Sequence, residues 1–243
     1  MLNDFDALDP RDRVIVAIDC GRDEALALAD KLAGKARWLK VGMTLYYAEG
    51  PAIVQAFKER GFKVFLDLKF YDIPHQVEGA AYASALTGAD MLTMHASGSI
   101  AMMQAGQRGA EKAAAELGGP VPATLGITVL TSMSDDTLAE IGVGRACAEQ
   151  VPLLARNAAT AGISGVVCSP QEASMMRDIL GPSGYVVTPG VRPVGADKGD
   201  QSRVATPSQA LANGASHIVV GRPITQAADP AAAYEAIIAE LEA

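Results

Sequence analysis

The stretch FLDLKFYDIP, residues 65–74, is mostly apolar but carries three charges within six residues, Asp67, Lys69 and Asp72. Side chains of a β-strand alternate between two faces, so Asp67 and Lys69 share a face with Phe65. The opposite face of this strand is wholly apolar and must pack against other elements, which leaves the mixed face inside the fold. A charge in a protein interior is costly unless it is paired. The stretch therefore predicts a buried strand that contributes paired charges to a site.

On both sides of this stretch, short β-rich runs alternate with longer Ala-rich helical patterns. Such alternation indicates parallel strands, and eight βα units in 243 residues match the size of a TIM barrel. We predict an α/β fold, a single-domain TIM (β/α)8 barrel over residues 1–243, in preference to a doubly wound sheet, which usually has fewer strands. The predicted strands are 14–19, 37–42, 63–70, 90–96, 124–130, 165–169, 185–191 and 217–223. The predicted helices are 23–34, 48–60, 75–87, 99–117, 145–162, 170–180, 206–213 and 229–242.

The composition narrows the classes of partner and compartment. The net charge is −8 and no basic tract stands out, which argues against nucleic-acid binding. The N-terminus is acidic, and no run approaches the roughly 20 apolar residues of a membrane span, so no membrane partner is expected. Three scattered cysteines without a C-x-x-C spacing argue against disulfides and a zinc site. Reduced thiols and a cytoplasmic location are the expectation.

Charged residues recur at the predicted C-terminal ends of the strands, where TIM barrels carry their active sites. Asp19 ends the first strand, and Lys40 lies near the end of the second on its inward face. With Asp67 and Lys69 on the third strand and Asp72 after it, two lysines and two or three carboxylates meet at one mouth. A structural ion-pair network is the alternative interpretation, but four charges at strand ends favour a catalytic site.

Two later loops have the composition of an anion site. TPGVRP follows the seventh strand with Gly190 and Arg192, and GRPIT follows the eighth with Gly221 and Arg222. Loops after strands 7 and 8 often bind phosphate in TIM barrels, since glycine allows close backbone approach and arginine binds phosphate oxygens in a fork. The segment 193–203 is polar and glycine-bearing. It is either a loop that closes over a ligand or a solvated connection.

These motifs together resemble the orotidine 5′-phosphate decarboxylases. The similarity lies in Asp-x-Lys-x-x-Asp-Ile-Pro at Asp67, Lys69 and Asp72, in Gly-Asp-Gln at 199–201 and in Gly-Arg-Pro at 221–223. It extends over most of the chain through the runs VAID, LKVG, MLTMHASG, TVLTSM, VTPGVRPVGADKGDQSRVATPSQA and VVGRPIT.

The resemblance implies decarboxylation of orotidine 5′-phosphate to UMP and CO₂, the last step of pyrimidine nucleotide synthesis, with no cofactor and no metal. It implies an alternating catalytic array of Lys40, Asp67, Lys69 and Asp72. Because no ring π-system delocalises the C6 carbanion, our hypothesis is that charge stabilises this carbanion and that Lys69 protonates it. The resemblance also implies a homodimer in which Asp72 acts in the partner's site. The implied substrate-binding residues are Asp19 and Lys40 at the ribose, Gln76 across the dimer interface, Thr131 by the pyrimidine, Gln201 between base and phosphate, and Arg192, Gly221 and Arg222 at the phosphate.

Gln76 departs from the family pattern. The family usually has threonine two residues after the proline of Asp-Ile-Pro, and this chain has Gln76 there, in DIPHQV. The family's threonine is expected to contact the ribose across the dimer interface, and a glutamine amide is able to donate a similar hydrogen bond with a longer reach.

Three other functions compete. A decarboxylase of the same suprafamily that acts on a keto-sugar phosphate with Mg²⁺ should have an acidic metal ligand on strand 2, where this chain has Lys40. A phosphosugar epimerase would need a metal cluster of His and Asp, which three scattered histidines do not suggest. A non-catalytic nucleotide-binding protein would gain little from Asp67 facing an anionic ligand.

Overall fold

The eight predicted βα units close into one barrel. The structure, a computed structural model, describes residues 4–193 and 205–243. The eight strands pair in parallel in the order β1 to β8, and β8 pairs with β1. The TIM-barrel prediction is confirmed. The strands are β1 Val14–Ile18, β2 Trp38–Gly42, β3 Lys63–Phe70, β4 Met91–His95, β5 Ala123–Ile127, β6 Gly165–Val167, β7 Tyr185–Thr188 and β8 His217–Val220.

Helices surround the barrel in the expected sequence, with several short ones added. The additions to the predicted pattern are α1, α3, α7 and α11 below and a 3₁₀ helix, Ala96–Gly98. The α-helices of the described residues are α1 Pro10–Arg13, α2 Arg22–Leu32, α3 Met43–Glu49, α4 Pro51–Glu59, α5 Pro74–Ala85, α6 Ile100–Leu117, α7 Asp135–Glu140, α8 Cys147–Ala161, α9 Ala173–Leu180, α10 Pro207–Ala212, α11 Arg222–Thr225 and α12 Pro230–Glu242.

Proline and glycine explain the main differences in element boundaries. The predicted helix 48–60 corresponds to α4 and overlaps only the end of α3. The two helices are separate because Gly50 adopts a φ of 64° and Pro51 begins α4. The seventh strand ends at Thr188 rather than at residue 191, since Pro189 has no N–H for the sheet. The eighth strand ends before Gly221, and α11 begins directly after it.

The barrel has two apolar cores. One lies between the outward faces of the strands and the helices, and it includes Val64, Leu66 and Leu68 of β3, as alternation along that strand predicts. The second fills the barrel interior below the mouth. Its members are Ile15, Ala17, Trp38, Phe65, Met91, Ala123, Leu125, Val187 and Val219.

These inner side chains fill the lower part of the barrel, so the space inside it opens at the C-terminal ends of the strands, where TIM barrels bind their ligands. Among residues 4–193 and 205–243, no helix combines the length and apolarity needed to cross a membrane.

Candidate active site

Four charged side chains meet at the mouth of the barrel, three from β2 and β3 and one from the residue that follows β1. The Lys69 ammonium Nζ lies 2.7 Å from Oδ2 of Asp67, two residues earlier on β3. Lys40, from β2, lies 3.0 Å from Oδ1 of Asp19 and 3.8 Å from Oδ2 of Asp67. Lys40 and Asp67 are both only 9% exposed. Two cations therefore flank the buried Asp67 carboxylate, and Asp19, at the rim of the barrel mouth, contacts the ammonium of Lys40.

Strand β3 is irregular at the point where it carries this pair. Leu66 lies opposite Leu92 of β4, but Phe70 lies opposite Met94, so four residues of β3 span two of β4. Lys69 within this bulge has a φ of 54°, in the left-handed region that non-glycine residues seldom adopt. Bulges of this kind redirect side chains and are common near active sites. Sequence alternation alone did not predict this one.

Gly42 makes room for the charges from the end of β2. It pairs with Asp67 in the parallel register of β2 and β3. A Cβ atom at Gly42 would lie 2.9 Å from Oδ1 of Asp19 and 3.1 Å from Nζ of Lys40. A side chain at this position would push the ion pair of Lys40 and Asp19 apart.

The environment of Asp67 keeps its carboxyl ionised. Burial by itself would raise the pKa of Asp67, but the charges of Lys40 and Lys69 oppose that effect. Hydrogen bonds from Lys69 and Thr93 lower it further, and the net result is an Asp67 pKa below its ordinary value. A buried anion between two cations is thus the resting state of the site at neutral pH.

An apolar cavity of about 180 Å³ adjoins these charges. Lys40, Asp67 and Lys69 line one part of it, and Thr131 lines another. The rest of the wall is mostly apolar, with Phe65, Ile127, Val129, Val167, Pro189 and Val219 among its residues. Charge placed against an apolar wall acts with less screening by water than charge on an open surface.

The predicted anion residues follow β7 and β8, at the same end of the barrel. The backbone N–H of Arg192 donates to the carbonyl of Ala205 at 2.9 Å, so these two residues are neighbours. Gly221 precedes α11, and Arg222 is exposed at its first position. Gln201 lies outside the described residues, as does the part of the 193–203 segment from residue 194 onward.

Asp72 and Gln76 lie on the surface of the single chain, after β3. Asp72 is exposed and accepts a hydrogen bond from the backbone N–H of Ile73 at 2.6 Å. Gln76 is exposed in the first turn of α5. A single chain thus brings together Lys40, Asp67 and Lys69 but not the fourth member of the predicted array.

The comparisons with known proteins agree with this geometry. The model of the "Orotidine 5'-phosphate decarboxylase / HUMPS family" matches residues 7–237. The chain belongs to this family. A protein of Moorella thermoacetica named orotidine 5′-phosphate decarboxylase is 48% identical over 244 residues, which cover 99% of this chain and 96% of the relative. The protein of that name from Alkalilimnicola ehrlichii is 49% identical over 232 residues, which cover 95% and 97%.

A solved structure supports the same assignment. The crystal structure of orotidine 5′-phosphate decarboxylase from Lactobacillus acidophilus superposes with a TM-score of 0.85 at 40% identity, covering 95% of this chain and 99% of that one. The predicted resemblance to the orotidine 5′-phosphate decarboxylase / HUMPS family is therefore confirmed over nearly the whole chain.

Thr93 and Gly42 adjoin the charges of the site, and neither was among the predicted site residues. Thr93 has a hydroxyl on the inward face of β4, between Met91 and His95. A polar side chain at that inward position was the feature of the sequence that could have indicated a site residue. Gly42 follows Lys40 by two residues, so its missing side chain would share the face of that lysine. Among the described residues, no group of three or more His, Cys, Asp or Glu is placed to hold a metal ion.

Proposed function

We propose that this protein is an orotidine 5′-phosphate decarboxylase that forms UMP and CO₂ without a cofactor. The observation that carries the proposal is the placement of the Lys69 ammonium 2.7 Å from the buried Asp67 carboxylate beside an apolar cavity. Family membership and the names of the relatives support the same substrate.

The chemistry requires stabilisation of an unusual carbanion. The bond between C6 of the pyrimidine and its carboxylate breaks, CO₂ leaves, and the electron pair stays on C6 in the ring plane. The ring π-system does not delocalise such a pair, so preorganised charge must stabilise it. In our proposal the Lys69 ammonium lies next to C6, stabilises the developing anion and then donates its proton there, and solvent later reprotonates Lys69.

Asp67 and Lys40 complete the electrostatic arrangement within one chain. In our proposal Asp67 faces the substrate carboxylate, and the repulsion between the two is relieved as CO₂ departs. Lys40, 3.8 Å from Asp67, balances the buried anion and helps to hold its position. The low pKa of Asp67 that follows from its two lysines keeps this repulsion in force at neutral pH.

The other proposed contacts divide between the ribose, base and phosphate. Asp19 and Lys40 form an ion pair at the rim that fits ribose hydroxyls, and Thr131 in the cavity wall fits the base. Arg192, Gly221 and Arg222 follow β7 and β8, where TIM barrels often bind phosphate beside a short extra helix. The assignment of Gln201 to a position between base and phosphate rests on the sequence resemblance alone.

A homodimer would supply the fourth charge. Asp72 is exposed between Tyr71 and Ile73, which are both 63% exposed. Tyr47, in the helix α3 that follows β2, is 73% exposed. Large apolar side chains exposed on both sides of a charged residue, as Tyr71 and Ile73 are, form a candidate interface. We propose that they bury against a second copy, which brings Asp72 to the partner's lysines and Gln76 to its ribose site.

Lys40 also argues against the Mg²⁺-dependent alternative. A keto-sugar phosphate decarboxylase of this suprafamily would need an acidic ligand at this strand position, and here an ammonium lies between two carboxylates. Among the described residues, Cys20, Cys147 and Cys168 form no disulfide bond, which fits the proposed cytoplasmic location.

Turnover of orotidine 5′-phosphate by protein treated with EDTA tests the proposal. Loss of absorbance from the substrate, with UMP identified as product, is the expected result and should not change when Mg²⁺ is restored. No turnover in either condition, or turnover that depends on Mg²⁺, would contradict it.

A further inference from the structure

The hydroxyl of Thr93 joins the two catalytic residues of β3 from the neighbouring strand. Thr93 lies on β4 and is 0% exposed. Its Oγ1 accepts a hydrogen bond from the backbone N–H of Lys69 at 2.9 Å and donates one to Oδ1 of Asp67 at 2.9 Å. One buried hydroxyl therefore contacts both Lys69 and Asp67.

The bond to Asp67 sets the rotation of its carboxylate. Oδ1 receives the proton of Thr93, while Oδ2 faces Nζ of Lys69 at 2.7 Å and Nζ of Lys40 at 3.8 Å. Because a hydroxyl has a single proton, the N–H of Lys69 must use the oxygen lone pair of Thr93, and the O–H must point to Asp67. The donor and acceptor of each hydrogen bond are therefore fixed: Lys69 donates to Thr93, and Thr93 donates to Asp67. Each of the two carboxylate oxygens has its own partners.

The bond to Lys69 acts on a strained part of the backbone. Lys69 has a φ of 54° within the bulge between Leu66 and Phe70, a conformation that costs free energy in a non-glycine residue. It persists only where surrounding contacts hold it. The hydrogen bond from its N–H to Thr93 is such a contact, and it fixes the point from which the Lys69 side chain extends toward Asp67.

We propose that Thr93 is a positioning residue, which orients the Asp67 carboxylate and holds the Lys69 backbone so that the ammonium meets C6 of the substrate. The proposal rests on the function proposed above, since it assigns Thr93 to that reaction. Thr93 does not line the cavity, and it acts through Asp67 and Lys69 alone. Misplacement of reacting groups by about 1 Å can cost about 100-fold in rate, so loss of both bonds should reduce kcat by a factor of that order.

The test compares Thr93→Val, Thr93→Ser and a matched control, Thr124→Val. Valine has the shape of threonine but can neither accept from Lys69 nor donate to Asp67, whereas serine keeps the hydroxyl. Thr124 is also 0% exposed, but it lies on β5 and contacts Gln107 away from the site. We expect kcat for orotidine 5′-phosphate to fall about 100-fold in Thr93→Val and to stay within about threefold of wild type in the other two, with UMP affinity little changed in all three.

A second measurement is independent of turnover. Titration of the Asp67 carboxyl followed by carbon-13 NMR should give a higher midpoint in Thr93→Val than in wild type, with Thr93→Ser returning close to the wild-type value. Wild-type turnover together with near-normal kcat in Thr93→Val, or equal losses in the valine and serine variants, would overturn the role of Thr93. If wild type fails to turn over this substrate, the proposed function falls, and an unchanged Asp67 midpoint would then also overturn the positioning role.

Discussion

At the scale of single residues, Gly42 contributes to the site by having no side chain. Its backbone is extended, with φ −90° and ψ 178°, so alanine suits the conformation but not the space. The added Cβ would lie 2.9 Å from Oδ1 of Asp19 and 3.1 Å from Nζ of Lys40. We expect Gly42→Ala to lower kcat/KM for orotidine 5′-phosphate about tenfold or more, mainly through KM, as steady-state kinetics would measure.

Gly21 offers a matched control for this prediction. It precedes α2 in a similar extended conformation, and a Cβ atom there would meet nothing within 4 Å. Gly21→Ala should therefore keep wild-type kinetics. Wild-type kinetics in Gly42→Ala, or an equal loss in both variants, would show that the space beside the ion pair is unimportant.

The individual charges of the site could be predicted from the sequence, but their support could not. Alternation along β2 and β3 was sufficient to place Lys40, Asp67 and Lys69 on inward faces. The left-handed conformation of Lys69 was not predictable, because it depends on a register shift between β3 and β4 that no local pattern specifies. The contacts of Thr93 depend on that same shift.

At the scale of elements, α5 and α6 pack so closely that one helical glycine is needed at their contact, whereas another, in α5, is not. A Cβ atom at Gly109 of α6 would lie 2.1 Å from the backbone oxygen of Glu78 in α5. A Cβ atom at Gly79 of α5 would meet nothing within 4 Å. Both are glycines within helices, and the sequence pattern does not distinguish them. Only the packing of the two helices shows which of them has room for a side chain.

We expect opposite effects on stability when each glycine is replaced by alanine. Gly109→Ala should destabilise the protein by about 1–3 kcal/mol, since the helices must move apart. Gly79→Ala should stabilise it by up to about 1 kcal/mol, because alanine is the better helix former. Urea denaturation measures both free energies of unfolding, and a stabilised Gly109→Ala variant would contradict the close packing of α5 and α6.

At the scale of the whole molecule, the buried His217 at the bottom of the barrel makes the stability of the protein depend on pH. Its ring stacks on Tyr185 with 5.4 Å between centroids and contacts the edges of Phe5 and Trp38. Burial, with smaller effects from the charges of Arg13 and Lys63, lowers the pKa of His217 to about 3. The histidine is thus neutral in the folded protein under ordinary conditions.

This buried histidine makes stability depend on pH in a defined window. In the unfolded chain the His217 pKa is about 6.5, so the unfolded state binds a proton first as the pH falls. The stabilisation is complete above pH 6.5 and is lost as the pH falls from there toward 3. Between pH 7.5 and pH 5 the loss should be about 2 kcal/mol.

The phenylalanine variant isolates this contribution. His217→Phe keeps a stacked ring but does not titrate, and the other titrating groups are common to both proteins. Urea unfolding at pH 7.5 and pH 5 should therefore give a free-energy drop about 2 kcal/mol smaller in the variant. Equal drops in the two proteins would mean that His217 takes up its proton without unfolding.

The proposed homodimer is the part of the proposal for which the single chain gives the least information. Sequence resemblance assigned Asp72 to the partner's site, and in the single chain Asp72 is exposed. Mixing the separately inactive variants Lys69→Ala and Asp72→Ala tests this assignment, because a hybrid dimer would contain one site with both residues intact. Activity of about a quarter of wild type is expected after random exchange of subunits, whereas no recovery would place Asp72 in its own chain's site or in neither.

The central claim is that the Lys69 ammonium, held against Asp67, both stabilises the C6 carbanion and protonates it. Its most direct test is turnover of orotidine 5′-phosphate by Lys69→Ala, beside a Lys31→Ala control that removes an exposed lysine. We expect a loss of roughly 1000-fold or more in kcat for Lys69→Ala, with measurable UMP binding, and no loss for Lys31→Ala. Turnover by Lys69→Ala within tenfold of wild type would contradict it.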